Sequence, residues 1–460
     1  MLEKALKKYF GYETFRPNQK EIIESLLQGH DTFGILPTGT GKSLCYQLMG
    51  YLTPGLVVVI SPLISLMEDQ VRSLQKNGEK KVTALNSTLN SFEKQYVLDY
   101  LAYYKFLFIS PEMLQQPAVL AALKQTKLAL LVVDEAHCIS QWGIDFRPEY
   151  RNIQQAKQIL GNPLTLALTA TATEEVEEDI KQQLLHPTHA IFRESANRKN
   201  IALFVKETTN KKVTLQALLP KITGATIIYC ATRKQVEELY QLLKEQYTVA
   251  YYHGGLNYQQ RSMLQYQFQS GKLQFLIATN AFGMGIDKKD VRYVIHYDLS
   301  DTIENYLQEI GRAGRDQLQS YAILLYQAGD EKVHYYFQQM NRENRQMLEM
   351  KLADDQIELS DDLSKKWHQQ ALLEGSEVFL KTLKENESLK ASKLKQMLDY
   401  VTCSTCRRQY LMNCLGEIVE EEANCCDYHQ ANLPDMPIKE KKNEKNLENW
   451  QKILKKMFSD

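Results

Sequence analysis

A glycine-rich loop at residues 37–43 carries the groups needed to bind phosphate. It reads Pro-Thr-Gly-Thr-Gly-Lys-Ser and lies between a β-rich apolar run at 32–36 and a stretch with helical periodicity, the context that such a loop requires. Its glycines let backbone N–H groups face phosphates, Lys42 neutralises their charge, and the Ser43 hydroxyl can hold Mg²⁺. Because Leu36 stands where the long motif has glycine, we predict a shorter variant. The predicted nucleotide contacts are Thr38, Gly39, Thr40, Gly41, Lys42 and Ser43.

Two acidic residues, Asp134 and Glu135, follow the apolar run at 128–133 and could complete this chemistry. A parallel sheet places its ligands at the carboxyl ends of its strands. Asp134 would bind Mg²⁺, and Glu135 would orient or deprotonate the attacking water. Paired acids after a strand can also be a solvated helix start, but Lys42 upstream at a typical separation argues against that alternative.

The segment at 10–19 precedes the loop by one helix and can therefore reach the adenine end of the same nucleotide. The Gln19 amide offers a donor and an acceptor to the adenine edge, while Tyr12 and Arg16 offer stacking faces. Without further information, the segment would be interpreted as a capped helix entry.

The elements that must position these residues alternate between short apolar runs and longer amphipathic stretches, which predicts parallel sheets covered by helices. We therefore expect an α/β protein with two tandem parallel-sheet domains and a small helical region. The first series of predicted strands is 32–36, 56–61, 106–109, 128–133 and 164–168. The second series is 226–230, 248–252, 275–278, 293–297 and 321–325.

Beyond about residue 330 the pattern becomes helical up to a cluster of cysteines. The predicted domains are therefore a first α/β domain at 1–197, a second at 198–329, a helical subdomain at 330–432 and a lysine-rich tail at 433–460. The tail lysines could add weak phosphate contacts or only solubility.

Composition places the chain among cytoplasmic globular proteins. Its residues are 24% charged and 44% hydrophobic. With 460 residues, the chain is too long for a single ordinary core. The longest apolar runs are far below the roughly 20 residues of a membrane span, and the first residues lack a signal peptide's apolar core. The net charge of -1 neither indicates nor excludes nucleic-acid binding, because such binding needs only a local basic groove. Five of the eight cysteines crowd into one C-terminal stretch, which in a reducing compartment favours metal over disulfide.

Seven ordered blocks resemble those of the RecQ family of superfamily 2 DNA helicases. The resemblance extends from Phe10 to about His429 and implies two RecA-like domains, a zinc-binding subdomain, ATP and Mg²⁺ as cofactors, and unwinding of duplex DNA in the 3′ to 5′ direction. It also implies single-stranded, forked and overhang DNA as partners, a role in repair and recombination alongside repair or single-strand-binding proteins, a bacterial cytoplasmic or nucleoid location, and a monomer. The blocks are 10–19, 37–47, 61–70, 134–143, 167–172, 279–287 and 308–315.

Arg312 and Arg315 are three residues apart, hence on one helix face. The resemblance implies that they act on the γ-phosphate, with Arg315 as the arginine finger and with Arg312 and Asp287 completing the site. Outside this context, such arginines would usually be surface charge.

The segment at 139–148 resembles the family's aromatic-rich loop, in which rings and a guanidinium stack on single-stranded bases. The residues implied are Trp142, Phe146 and Arg147. Ile144 replaces the family's usual histidine, which puts the coupling between DNA and the nucleotide site in question. Packing of the tryptophan in a core is the alternative.

The C-terminal cysteines resemble the family's zinc-binding subdomain, with one cysteine before paired arginines and the remaining ligands in a knuckle. In the preferred set His429 takes the last position, while the rival set replaces Cys425 with Cys403. Cys414 is expected in the core, and a metal-free helical subdomain is the further alternative. The preferred ligands are Cys406, Cys425, Cys426 and His429.

The chain ends soon after His429, so we expect a short form without the winged-helix and HRDC modules of many relatives. Two rival functions remain open at this point. One is a helicase that acts on RNA, and the other is a non-enzymatic module that anneals or protects DNA.

Overall fold

The computed structural model describes residues 1–140, 148–282, 288–431 and 433. Contacts divide the chain into two units. One comprises Met1–Ala196 and Phe337–Ala391, and the other comprises Asn197–Tyr336 and Ser392–Asp460. The expected boundaries after residues 197, 329 and 432 stay a prediction.

The first unit contains a seven-stranded parallel sheet in the order β3-β4-β2-β5-β6-β1-β7. The strands are β1 (Thr32–Ile35), β2 (Leu56–Ile60), β3 (Val82–Leu85), β4 (Phe106–Ile109), β5 (Leu128–Val133), β6 (Thr165–Thr169) and β7 (Ala190–Arg193). The helices that precede or connect these strands are α1 (Leu2–Phe10), α2 (Gln19–Leu27), α3 (Lys42–Leu52), α4 (Ile64–Lys76), α5 (Ser91–Asp99), α6 (Pro111–Leu114), α7 (Pro117–Gln125), α8 (Ile153–Ile159) and α9 (Glu174–Leu184).

The second unit contains a six-stranded parallel sheet in the order β10-β11-β9-β12-β13-β8. Its strands are β8 (Ile201–Glu207), β9 (Ala225–Tyr229), β10 (Val249–Tyr252), β11 (Phe275–Ala278), β12 (Val291–His296) and β13 (Ser320–Tyr326). Its helices are α10 (Lys211–Leu218), α11 (Arg233–Leu243), α12 (Tyr258–Gln269) and α13 (Ile303–Ile310). The chain continues as α14 (Lys332–Ala353), α15 (Asp362–Glu374), α16 (Ser376–Val401) and α17 (Arg407–Cys414).

Helices cover both faces of the first sheet, which explains its continuous apolar strands. Successive residues of β2 point to opposite faces. Val57 and Val59 belong to one buried cluster, while Val58 and Ile60 belong to the other. Gly50 lets α3 pack closely on the first of these faces, because a Cβ there would lie 2.5 Å from the Phe106 ring.

The expected fold class is confirmed: two parallel α/β sheets are followed by a helical region. The ten predicted strands match observed strands to within two residues at each end. Three further strands, β3, β7 and β8, escaped prediction, and all three lie at sheet edges. Among the described residues, no helix combines the length and apolarity needed to cross a membrane.

Candidate active site and metal centre

The phosphate-binding loop joins the buried strand β1 to α3. Gly39 and Gly41 have φ of 88° and 82°, the left-handed region that favours glycine. Gly41 is the N-cap of α3 and Lys42 its first residue, so the free N–H groups of the helix start at the loop. Within the loop, the Thr40 hydroxyl donates to the Pro37 carbonyl at 2.8 Å. The loop therefore presents backbone donors and one ammonium to an anion.

Gln19 and Arg16 hold the outer side of this loop. The Gln19 amide nitrogen donates to the carbonyls of Thr40 at 2.9 Å and Gly41 at 3.1 Å, and its oxygen accepts from the Arg16 backbone N–H at 3.0 Å. The Arg16 guanidinium donates to the Gly39 carbonyl. Gln19 is buried whereas Tyr12 is exposed. The two polar residues thus brace the loop, and their contact with adenine stays a prediction.

Asp134 and Glu135 lie at the carboxyl end of β5. The Asp134 N–H donates to the Ile60 carbonyl at 3.0 Å, and its carbonyl accepts from the Tyr150 hydroxyl at 3.0 Å. Burial, and then the charge of Glu135, raises the pKa of Asp134 to about 6, whereas the charge of Lys42 lowers it. The structure therefore brings the acidic pair and the loop lysine within electrostatic reach.

The donors around Asp134 fit a hard divalent cation. Carboxylate and hydroxyl oxygens are the ligands that Mg²⁺ prefers, and Asp134 and Ser43 supply one of each. Two carboxylates that repel each other, with Glu135 buried and Asp134 partly buried, leave an excess of negative charge that a cation would relieve. Mg²⁺ held here would neutralise phosphate charge in the reaction.

His137 connects the acidic pair to the neighbouring strand, a contact that sequence reasoning missed. Its Nδ1 lies 2.9 Å from the Thr169 hydroxyl and 3.5 Å from the Glu135 carboxylate. The Thr169 hydroxyl also donates to the Thr171 carbonyl at 2.9 Å. The available sequence signal was the 167–172 block, which includes the carboxyl end of β6, the strand next to β5 in the sheet.

A short 3₁₀ segment, Pro148–Asn152, is anchored by α15 in the same unit. The Arg151 guanidinium donates to both carboxylate oxygens of Glu374 at 2.7 and 2.9 Å. The Asn152 amide donates to the Gln370 side chain at 3.0 Å. Because Tyr150 in this segment also contacts Asp134, the helical region supports the acidic pair Asp134 and Glu135, which we call the acidic box.

Several predicted site residues lie outside the described part of the chain. These are the DNA-binding candidates Trp142, Phe146 and Arg147, the substituted Ile144, the nucleotide-site candidate Asp287, and most of the lysine-rich tail.

In the second unit, Arg312 and Arg315 follow the end of α13, so the expectation that they share one helix face was wrong. Arg312 is buried. Burial of Tyr229 raises the pKa of that tyrosine, and the positive charge of Arg312 opposes this increase. Glu309, one turn earlier, lies 2.7 Å from Nε2 of the buried His296. The arginines thus emerge from a packed network at the carboxyl ends of β9 and β12.

We call residues 311–315 the arginine loop. Gly314 has a φ of 56°, and a Cβ there would lie 2.3 Å from the Asn200 amide nitrogen. That nitrogen donates to the Gly314 carbonyl at 2.8 Å. Arg198 donates to carbonyls of the same loop. Sequence reasoning missed both partners.

The structure brings together the four preferred zinc ligands, Cys406, Cys425, Cys426 and His429, whose donor atoms all lie within 4.8 Å of one another. Sγ of Cys425 is 3.6 Å from that of Cys406 and 3.7 Å from that of Cys426. Tetrahedral zinc with Zn–S bonds of about 2.3 Å requires an S–S separation of about 3.8 Å.

Two distances from His429 also fit zinc. Nδ1 of His429 is 3.2 Å from Sγ of Cys425 and 3.7 Å from that of Cys426. Burial, and then Cys406, raises the pKa of the Cys425 thiol to about 12, so several thiolates would coexist here only with a cation. Cys403 instead contacts Thr405. The residues therefore fit a structural zinc ion, which would tie α17 to the knuckle.

The zinc knuckle, residues 425–429, docks on the edge strand β8. Leu203 donates its N–H to the Cys425 carbonyl at 3.0 Å, and Val205 donates to the Asp427 carboxylate at 2.9 Å. Arg407 pairs with the same carboxylate. The metal centre is therefore continuous with the second sheet.

Comparisons with known proteins agree with this geometry. Residues 16–179 match the DEAD/DEAH box helicase model, 210–317 the helicase conserved C-terminal domain, and 363–430 the RecQ zinc-binding model. The fold resembles that of the helicase Lhr from Mycobacterium smegmatis, bound to single-stranded DNA and AMP-PNP. That likeness has a TM-score of 0.59 at 19% identity and covers 86% of this chain and 57% of the other; it shows the fold alone.

Two RecA-like sheets, one with the phosphate loop and acidic box and the other with the arginine loop, define a superfamily 2 helicase. The chain is 40% identical to "Probable ATP-dependent DNA helicase RecS" of Bacillus subtilis (strain 168), over all of this chain and 98% of that protein. It is 36% identical to the ATP-dependent DNA helicase RecQ of Pasteurella multocida, with 92% of this chain aligned to 61% of that protein's length.

The chain belongs to the RecQ family of ATP-dependent DNA helicases. The expected family, enzyme class and use of ATP and Mg²⁺ are thereby confirmed, and the RecQ zinc-binding match supports the expected structural zinc.

Proposed function

We propose that this helicase hydrolyses ATP to move 3′ to 5′ along single-stranded DNA and to unwind forked and overhang duplexes. The proposal rests on one observation: the charges of Lys42 and Glu135 both act on Asp134 at the carboxyl end of the first sheet. Unlike a nucleotide-binding site alone, this set includes a residue, Glu135, able to activate water.

In this mechanism the phosphate loop binds the β- and γ-phosphates, with Lys42 as the counter-charge. Ser43 and Asp134 would hold Mg²⁺, and Glu135 would orient the attacking water and accept its proton. Arg315 acts as the arginine finger, with Arg312 beside it, as the family resemblance implies. Tyr12, Arg16 and Gln19 form the adenine side, with Asp287 as a further nucleotide contact.

Trp142, Phe146 and Arg147 are assigned to stacking on single-stranded bases without reading their identity. This assignment makes the acidic box and the DNA contact neighbours along the chain, so that binding of a strand can affect hydrolysis. The proposed setting is DNA repair and recombination in the cytoplasm. The enzyme acts there as a monomer, with repair or single-strand-binding proteins as partners.

The test is DNA-stimulated ATP hydrolysis by Lys42→Ala. Loss of the ammonium should reduce stimulated hydrolysis to background and abolish strand separation, because the phosphates lose their counter-charge. Lys124→Ala, an exposed lysine on α7 in the same unit, is the matched control and should keep both activities. Persistence of stimulated hydrolysis in Lys42→Ala would refute the site.

A further inference from the structure

We propose that Arg198 and Arg408 are positioning residues that connect the zinc-binding knuckle to the arginine loop and hold the loop ready for hydrolysis. The proposal rests on the proposed role of Arg312 and Arg315. It gives the zinc centre a function in the ATP reaction in addition to its structural one.

The first link is the side chain of Arg198. Its guanidinium donates to three carbonyls of the arginine loop: Gly311 at 3.3 Å, Ala313 at 3.1 Å and Gly314 at 2.7 Å. These carbonyls flank Arg312 and immediately precede Arg315. They follow the end of α13, where the dipole and the unpaired carbonyls of a helix favour a cation. One planar group therefore sets the path of the backbone from which both arginines project.

The second link fixes Arg198 itself. Arg408 is buried and donates to the Arg198 carbonyl at 2.8 Å and to the Asn197 side chain at 2.7 Å. It also donates to the Ile201 carbonyl at 2.6 Å. These acceptors lie on both sides of Arg198 along the chain. The Arg408 fork thus determines the backbone from which the Arg198 side chain reaches the loop.

The third link is covalent. Arg408 in α17 is two residues from the zinc ligand Cys406, which precedes that helix, and its guanidinium is 3.5 Å from the carbonyl of Cys425. The knuckle and α17 together therefore orient Arg408. All links lie within the second unit. The connection runs from the ligands through Arg408 and Arg198 to the arginine loop.

Arginine is required at both positions because of its shape. Each guanidinium reaches three or more acceptors with a planar set of donors, whereas a lysine ammonium is a single point of charge. Substitution by lysine keeps the charge and removes the fork. The variants Arg198→Lys and Arg408→Lys therefore change geometry with little change in electrostatics.

The experiment measures DNA-stimulated ATP hydrolysis, ATP affinity and zinc content of the zinc-loaded protein. We expect each lysine variant to lower kcat by about 10- to 100-fold, the size of effect that small misplacements of catalytic groups produce. ATP affinity and zinc content should be unchanged. Because Arg408 acts through Arg198, the double variant should be no slower than Arg198→Lys alone, whereas independent effects would multiply.

Hydrogen exchange gives a second readout. The Gly314 N–H donates to the Val291 carbonyl at 2.9 Å, and its exchange should accelerate in both variants if the loop loosens. Lys211→Met is the control for general destabilisation, since this buried lysine pairs with Asp298 and Asp330 in the same unit. It should lower the melting temperature while keeping kcat and Gly314 protection.

Two outcomes would overturn the proposal: unchanged kcat in Arg198→Lys, or multiplicative losses in the double variant. If Arg408→Lys loses zinc, Arg198→Lys carries the test, because its side chain contacts the loop directly. Arg315→Ala separates the two levels of inference. Full hydrolysis in that variant would reject the proposed role of the finger, whereas its loss together with full activity in Arg198→Lys would reject only the positioning role.

Discussion

Glu135 combines a buried side chain with a backbone φ of 49°, a region that residues other than glycine rarely adopt. Its N–H donates to Asp134 Oδ1 at 3.1 Å, and its carboxylate lies near His137. Strained backbone is retained where the surrounding structure over-determines it, often at catalytic residues. The backbone conformation of Glu135 is therefore that expected of a catalytic carboxylate whose position is fixed by its surroundings.

Replacing Glu135 by Gln should separate binding from hydrolysis. The amide cannot accept a proton from water, so DNA-stimulated kcat is expected to fall by about 10²- to 10⁴-fold, the usual contribution of a general base. ATP should still bind, because the phosphate loop is intact. Fluorescent-nucleotide titration and phosphate release measure the two effects, and Lys42→Ala provides the contrast because it should lose binding as well. Equal loss of both in Glu135→Gln would contradict the assigned role.

Asp69 on α4 provides a pH-dependent prediction. Burial raises its pKa to about 6, so its ionisation opposes folding. The penalty is absent below about pH 4, grows as the pH rises through about 6, and is fully present at pH 7.5. Asp69→Asn keeps the neutral form, and we expect it to stabilise the first unit by about 1–2 kcal/mol at pH 7.5, after allowance for partial exposure.

Urea unfolding at pH 4 and pH 7.5 checks this expectation. The difference between Asp69→Asn and the parent protein should vanish at the lower pH. Asp99→Asn serves as the control because Asp99 is exposed on α5, and it should change stability little at either pH. Equal stabilisation by Asp69→Asn at both values would rule out ionisation as the cause.

At the residue scale, contiguous motifs were predictable and tertiary partners were not. Lys42 and Asp134 could be assigned because each lies at a fixed offset from a strand. The contacts of Gln19 with Thr40 and of Arg198 with Gly314 join residues far apart in sequence. Arginine and glutamine carry no local signal for such a partner, since both are ordinary surface residues elsewhere.

At the scale of elements, apolar runs predicted the interior strands and the edge strand β10, but they missed the edge strands β3, β7 and β8. Each interior strand is buried on both faces and therefore reads as a continuous run of large apolar residues. In β3 two of the four residues are only partly buried, and in β7 none is fully buried. Partial exposure therefore separates β3 and β7 from the interior strands, whereas β8 was missed although its first four residues are apolar and buried.

The zinc knuckle gives an element-scale prediction that distinguishes the two ligand sets. Cys426→Ser should lower zinc content from about one ion per chain, because a structural site needs all four ligands. Cys403→Ser should keep the zinc, since Cys403 contacts Thr405 instead. Metal analysis after dialysis measures both variants. Unchanged zinc content in Cys426→Ser, or loss of zinc in Cys403→Ser, would contradict the ligand assignment.

At the scale of the whole molecule, a net charge of -1 means that affinity for nucleic acid must come from local features. Stacking is sequence-tolerant, so base identity should matter little. With strands of equal length, we expect stronger ATPase stimulation by single-stranded DNA than by single-stranded RNA. Unwinding should require a 3′ overhang or fork. Equal stimulation by both polymers would favour the RNA-helicase alternative, and ATP-independent strand separation would favour a binding module.

The docking of the knuckle on β8 has a consequence for what happens when the metal is lost. Along its outer side, β8 has its Leu203 and Val205 N–H groups and its Ile201 carbonyl engaged by Cys425, Asp427 and Arg408. An uncovered strand of this kind is a template for pairing with a second molecule. Release of zinc would expose the template, so the demetallated protein should be lost irreversibly through aggregation. The lifetime of each molecule would then depend on whether the cell keeps the cysteines reduced and supplies zinc.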